Sequence, residues 1–236
     1  MQFGLGPHSV KYADILWNNK FTKRLANEKS VPNYHEFTYE VYFYGEDLEK
    51  SQALEFDINQ FFNGMSFIWG HECRIAGGHE WDTWDNVNKH WVKSGIPCNP
   101  LSNAWNHLVI QVSRTTDDRL QFKSITLNGV TRTVNRFDHP SATTWYGMTI
   151  NYQMDGDSEQ EPYTVYLDKV SFSYKLVKLR KAAAVGLRKK MAIDSSDRHL
   201  TEVHYTLSER IDQHPTRMLH SQRSDPHRSI LLEADQ

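Results

Sequence analysis

Ala53-Leu-Glu-Phe-Asp-Ile-Asn59 alternates without a break: Leu54, Phe56 and Ile58 share one face, and Glu55, Asp57 and Asn59 share the other. A period of two marks a strand with one side in a core and the other in a polar setting. The pattern recurs on both sides of this stretch. Phe37-Thr-Tyr-Glu-Val-Tyr-Phe-Tyr44 alternates and is rich in aromatic and β-branched residues, and Gly45-Glu-Asp47 turns the chain. Met65 to Trp69 is a short apolar strand after the Asn63-Gly64 turn. Farther on, Leu108, Ile110 and Val112 mark the core face of Trp105 to Val112. Leu120 to Leu127 and Val130 to Arg136 flank Asn128-Gly129, the strongest short hairpin signal. Trp145 to Gln153 points Tyr146, Met148, Ile150 and Tyr152 inward and Thr149, Asn151 and Gln153 outward. Tyr163 to Tyr174 closes the sheet after the Asp155-Gly-Asp157 turn. About seven or eight short strands at this spacing predict an all-β, two-sheet antiparallel jelly-roll sandwich.

The chain has 236 residues, 39% hydrophobic and 24% charged, with net charge −2. A balance so near neutrality gives no footprint for nucleic acid or an anionic membrane. No run of roughly 18 apolar residues exists, so no membrane-spanning helix is expected. Met1-Gln-Phe-Gly-Leu-Gly6 lacks the basic and apolar regions of a signal peptide. Either the protein stays inside the cell, or the chain begins after a removed leader. All seven Trp precede residue 146, while residues 175–236 hold one aromatic, Tyr205. Because Trp and Tyr carry the large apolar area that closes a core, the domain is expected to span 1–174. The remaining 175–236 reads as a polar, weakly structured tail. It carries 12 Lys/Arg against 8 Asp/Glu, where the rest of the chain has 15 against 21. Leu176, Leu179, Ala183 and Leu187 approximate one stripe of a basic helix within it.

Residues 70–104 show little periodicity but hold four Gly, two Pro and three Trp (Trp81, Trp84 and Trp91). A patternless segment of that length reads as a functional or cross-linked loop. Cys73 and Cys98 lie in it. They are either a disulfide, worth roughly 3 kcal/mol for this separation, or two free thiols.

Glu55 and Asp57 are the leading catalytic candidates. At i and i+2 on one strand they project together, with Cβ atoms roughly 6.5–7 Å apart, and crowded carboxylates push one pKa upward, as a general acid requires. The alternative is a pair of solvated outward charges. Trp81, Trp84 and Trp91, beside Asp82, Asp85, Asn86 and Asn88, suit the stacking and hydrogen bonding of pyranose rings, or else form a small core of their own. Trp105 and His107 lie on the polar side of their strand and extend the same expected surface. His71-Glu72 and His79-Glu80 offer metal-ligand types without a metal-ligand spacing. Asp155, Asp157 and Asp168 are oxygen donors suited to Ca²⁺; no other cofactor is expected. There is no G-x-S-x-G, H-E-x-x-H, P-loop or dinucleotide fingerprint.

Several stretches carry a family resemblance: Gln52-Ala-Leu-Glu-Phe-Asp-Ile-Asn-Gln-Phe61, Cys73-Arg-Ile-Ala-Gly-Gly-His-Glu-Trp81, Trp105-Asn-His107, Ser124-Ile-Thr-Leu-Asn-Gly-Val130 and Val165-Tyr-Leu-Asp-Lys-Val170. Over residues 1–174 the chain resembles secreted bacterial proteins of acidobacterial type, placed near the concanavalin A-like lectin/glucanase superfamily. The resemblance implies a jelly roll, export and a Cys73–Cys98 bridge, and fixes no activity. Laminarinase-type glycosidases of that superfamily carry E-x-D-x-E or E-x-D-x-x-E on one strand. By that resemblance Glu55 matches the nucleophile and Asp57 its helper. The third position falls on Asn59 or Gln60, neither of which donates a proton as an acid, so Glu72 or Glu80 would have to substitute.

The resulting expectation is a secreted or periplasmic protein that binds a polysaccharide or oligosaccharide. Its polar sheet face (Glu55, Asp57, Asn59, His107, Asn151 and Gln153) and its loop tryptophans would form the site. A glycoside hydrolase using Glu55 is the alternative, and a structural or adhesive module without a small ligand is a third reading.

Overall fold

A computed structural model describes residues 1–7, 13–20, 28–177 and 200–206. Fifteen strands run along them: β1 Gln2–Leu5, β2 Asp14–Lys20, β3 Tyr34–Glu46, β4 Ser51–Phe62, β5 Met65–Trp69, β6 His71–Arg74, β7 Glu80–Asp85, β8 His90–Pro97, β9 Trp105–Arg114, β10 Leu120–Leu127, β11 Val130–Asp138, β12 Ser141–Ala142, β13 Gly147–Gly156, β14 Tyr163–Val177 and β15 Leu200–Thr206. They form two antiparallel sheets, a jelly-roll sandwich. One has the order β1-β14-β3-β9-β10-β11, with β15 also on β14. In the other, β13 lies on one edge of β4 with β2 outside it, and β5 and β6 share the opposite edge, followed by β7 and β8.

The alternation of β4 aims Leu54, Phe56 and Ile58 into the space between the sheets, where all three are fully buried. Phe56 is the hub. Its ring lies 5.6 Å from Phe43 and 6.2 Å from Tyr39 of the facing sheet, 5.4 Å from Tyr152 on the neighbouring β13, and 6.4 Å from Trp81. Phe37 meets Trp69 across the same gap at 5.2 Å. Aromatic pairs at such distances add stabilisation beyond the area they bury.

Residues 70–104 are not an irregular loop. They contain three strands, because the periodicity is present but carried by polar residues on both faces. His71, Cys73, Trp81 and Thr83 point inward; Glu72, Arg74, Asp82 and Trp84 point outward. A bulge at Ser94-Gly95, where Gly95 has φ 73°, further disguises β8. Tyr146, expected inward, lies just before β13 and is exposed. At the other end, β14 runs past Tyr174 to Val177, and Leu200–Thr206 adds an antiparallel strand beside Ser171–Val177. The predicted basic helix overlaps β14 at Leu176 and Val177, and its residues 178–191 lie outside the described residues.

Cys73 of β6 and Cys98, just past β8, are joined in a disulfide with Cα atoms 5.6 Å apart. The bond closes a span of 25 residues across β7. Replacing both cysteines with Ala is expected to lower unfolding free energy by about 3 kcal/mol. The change is read as a drop in the denaturant midpoint, and an unchanged midpoint would contradict it.

Candidate functional site

Cross-strand pairing converts the outward residues of successive strands into rows over the outer side of the second sheet. One row runs Asn18, Asn151, Asp57, then across the break between β5 and β6 at Gly70 to Trp84 and Trp91. The next row runs Gln153, Glu55, Glu72, Asp82 and Lys93. A third pairs Thr149 with Asn59. Glu55, Asp57, Asn59, Asn151, Gln153 and Trp84 therefore share one face of this sheet. Glu72, Gly70 and Asp82 join them through a register that β4 alone does not disclose.

Polar side chains on this face hold one another in place. Asn18 Nδ2 donates to Asn151 Oδ1 at 2.7 Å, and Asn59 Nδ2 donates to Thr149 Oγ1 at 3.0 Å. Gln153 Nε2 donates to both Glu55 Oε1 and Asp155 Oδ1 at 3.0 Å, bridging the two carboxyls. Arg74 pairs with Asp82 at 2.9 Å and with Glu80 at 3.2 Å. Asp57 is only 9% exposed, and its Oδ1 has no hydrogen-bond partner among the described residues.

So many carboxyls in one partly dry place cannot all be ionised easily. Burial pushes Asp57 up to about 7, against the opposing pull of the His71 backbone N–H and the Asn151 amide. Burial, reinforced by Asp82 and opposed by Arg74, raises Glu72 to about 7. Glu55 stands well above the usual carboxylate range through burial and then the charges of Asp155, Asp57 and Glu72. Asp155 is raised by burial and by Asp14 and Glu72.

The tryptophans divide. Trp81 is 1% exposed and belongs to the core, not to a ligand surface. Trp84 and Trp91, paired across β7 and β8, are half-buried on the polar face, with ring centroids 5.3 Å apart and planes at 70°. Gly70 makes room for them: a Cβ there would lie 2.9 Å from Trp84 Cβ, 3.1 Å from Trp91 Cη2 and 3.3 Å from Asp57 Oδ1. The far end of β7 is fixed from outside the sheet. Arg136 of β11 donates to the Trp84 carbonyl at 2.8 Å, and the Asn86 side chain pairs with both backbone groups of Ile68.

Trp105 and His107 do not extend this surface. They lie on the outer side of the other sheet, where Trp105 packs edge-on to Tyr44 and His107 stacks on Tyr42 and bonds Glu40 at 2.8 Å. Placing them with Glu55 assumed that both strands shared a sheet. Asp155, Asp157 and Asp168 do not converge either: Asp155 is on the polar face, Asp157 caps a turn at Glu159 N, and Asp168 pairs with Tyr42 in the first sheet. Among the described residues no cluster of three or more His, Cys, Asp or Glu side chains suits a metal. His71 points into the core against Phe122, and His79 contacts Glu49.

No protein-family profile matches the chain, and no curated protein matches it. Among solved structures it is similar to the carbohydrate recognition domain of Emp46p in its potassium-bound form, at 11% identity over 70% of this chain and 80% of that one, with TM-score 0.40. It is also similar to a mutant of alginate lyase Aly36B in complex with alginate trisaccharide, at 11% identity over 72% and 80%, with TM-score 0.36. A third is lectin UEA-II complexed with galactose, at 8% identity over 70% and 86%, with TM-score 0.36.

Proposed function

We propose that the chain is a carbohydrate-binding jelly-roll protein whose polar sheet face takes an oligosaccharide or polysaccharide strand. The observation that carries this reading is the Trp84–Trp91 pair standing beside Asp57 across Gly70. Aromatic faces stack on the C–H faces of sugar rings, while neighbouring carboxyl and amide groups take their hydroxyls. Asn151, Asn59, Gln153 and Glu55 supply those groups in adjoining rows. The Cys73–Cys98 bridge fits an oxidising compartment, so we assign the protein to the periplasm or the cell exterior. Among the described residues no helix is long and apolar enough to cross a membrane. The test is a panel of polysaccharides in pull-down, followed by titration of whichever binds. Trp91→Ala is expected to weaken that affinity about tenfold, ~1.4 kcal/mol. Absence of binding across the panel would sink the reading.

One observation favours a second reading, a retaining glycoside hydrolase. Glu72 lies directly opposite Glu55 in the β4–β6 register. Opposed residues have Cβ atoms roughly 4.5–5.5 Å apart, in the range of the roughly 5–5.5 Å between carboxyls that retention uses. Glu72 is a carboxylic acid placed to fill the role that Asn59 and Gln60 cannot, with Glu55 as nucleophile and Asp57 as its helper. Glu55→Gln is then expected to abolish release of reducing sugar while glycan binding persists. If wild type releases none from a glycan it binds, hydrolysis is ruled out.

A further inference from the structure

We propose that the seam between the edge strands β8 and β11 is a second binding site, one that takes a carboxylate with a medium-length apolar tail. It lies apart from the polar sheet face and does not depend on the glycan reading.

Each sheet ends in a hairpin at this seam. From one side, β7 and β8 contribute the opposed pair Trp81 and Ile96; from the other, β10 and β11 contribute Leu127 with Val130 and Ile125 with Arg132. Opposed residues share a face of their sheet. Ile125 is buried between the sheets, so Arg132 springs from the inward side of β11. These residues line a cavity of about 240 Å³ whose walls are chiefly apolar. A water-sized group takes about 30 Å³, so the space accommodates a tail of roughly eight carbons.

The other end of the same seam is closed. Arg136 also rises from the inward side of β11, opposite the buried Phe122. It donates to the Trp84 carbonyl at 2.8 Å and pairs with Asp138 at 3.4 Å and Asp85 at 3.8 Å. Arg132 has no acidic partner among the described residues. An inward charge on an edge strand guards it against pairing with another chain. That accounts for the arginine but leaves the apolar space beside it unexplained. Charge and cavity together specify the ligand. A guanidinium meets a carboxylate through two parallel hydrogen bonds. An apolar tail lying along Ile96, Leu127 and Val130 would cover surface that is open at the rim, where Val130 is 53% exposed. A sugar ring would instead press its hydroxyls against walls that offer them few partners.

Octanoate is the probe, with octanol and butyrate as controls, each titrated at neutral pH into the intact isotope-labelled chain and followed by amide chemical shifts. Octanoate is expected to bind about tenfold more tightly than either control, moving the amides of residues 95–99 and 125–132. Arg132→Gln is expected to bind octanoate no better than octanol. Val130→Trp, which fills the space, is expected to exclude both. Arg132 and Val130 are exposed, so neither substitution removes a core side chain; should a variant still not fold, the wild-type ranking and shift map decide alone. The proposal is overturned if octanoate does not bind, if octanol or butyrate binds as well, if the shifts fall elsewhere, or if a folded Arg132→Gln keeps the preference. Glycan binding is read separately by the polysaccharide panel and stands or falls on its own.

Discussion

Replacing Phe56 with Ala is expected to cost about 3–5 kcal/mol, enough to unfold much of the population of a domain of ordinary stability. The side chain is fully buried, and its ring is shared by both sheets: Tyr39 and Phe43 on one side, Tyr152 and Trp81 on the other. Removing it leaves a cavity that no single neighbour can fill, because each is held by strand pairing in its own sheet. Phe56→Leu keeps much of the volume and is expected to cost well under half as much. Denaturant midpoints of the two variants check the ordering; a Phe56→Ala midpoint within error of wild type would mean the sandwich interior is not where the stability lies.

Phe56 could be placed from sequence because β4 alternates cleanly, and the same held for β9, β10 and most of β13 and β14. What those strands share is one apolar and one polar face. The strands within residues 70–97 lack it. In β6 and β7 the inward positions include His71 and Thr83, and the outward ones include Trp84, so hydrophobicity no longer reports direction. Gly70 then splits what is otherwise one line of chain along the edge of β4.

The site was half readable for a related reason. Glu55, Asp57 and Asn59 are local in sequence, and local alternation puts them on one face. The carboxyl directly opposite Glu55, however, is 17 positions away, and only the β4–β6 register makes Glu72 its neighbour. Trp105 and His107 show the converse error. Their alternation correctly marked them as outward, but outward from which sheet depends on strand order, and β9 pairs with β3 rather than with β4. Periodicity carries direction relative to a strand; it carries no information about which layer the strand joins.

The acidic face should be costly to the fold, and Asp57→Asn is expected to show it by raising stability at alkaline pH. The folded protein holds Asp57 up to about 7 from an ordinary 3.8, and Glu72 up to about 7 from 4.5. A carboxyl with a raised folded pKa contributes its stability in full below its unfolded value. That contribution drains away as pH rises through the folded value. Stability from this cluster is therefore complete near pH 4 and lost by somewhat above 7. His71 opposes it, since burial lowers its pKa to about 4 from 6.5, giving stability that is present above 6.5 and lost as pH falls toward 4. Between those limits the two slopes partly cancel, and above 6.5 that of the carboxyls prevails over that of His71. Comparing the variant with wild type removes the histidine from the difference. The gain from Asp57→Asn is expected to be near zero at pH 4, to grow through pH 7, and to level off at roughly 2–4 kcal/mol. Thermal or urea unfolding from pH 4 to 9 reads it directly. A variant that is less stable than wild type at pH 8 would show that the charge on Asp57 is compensated in the folded chain, and the face would then have no electrostatic strain.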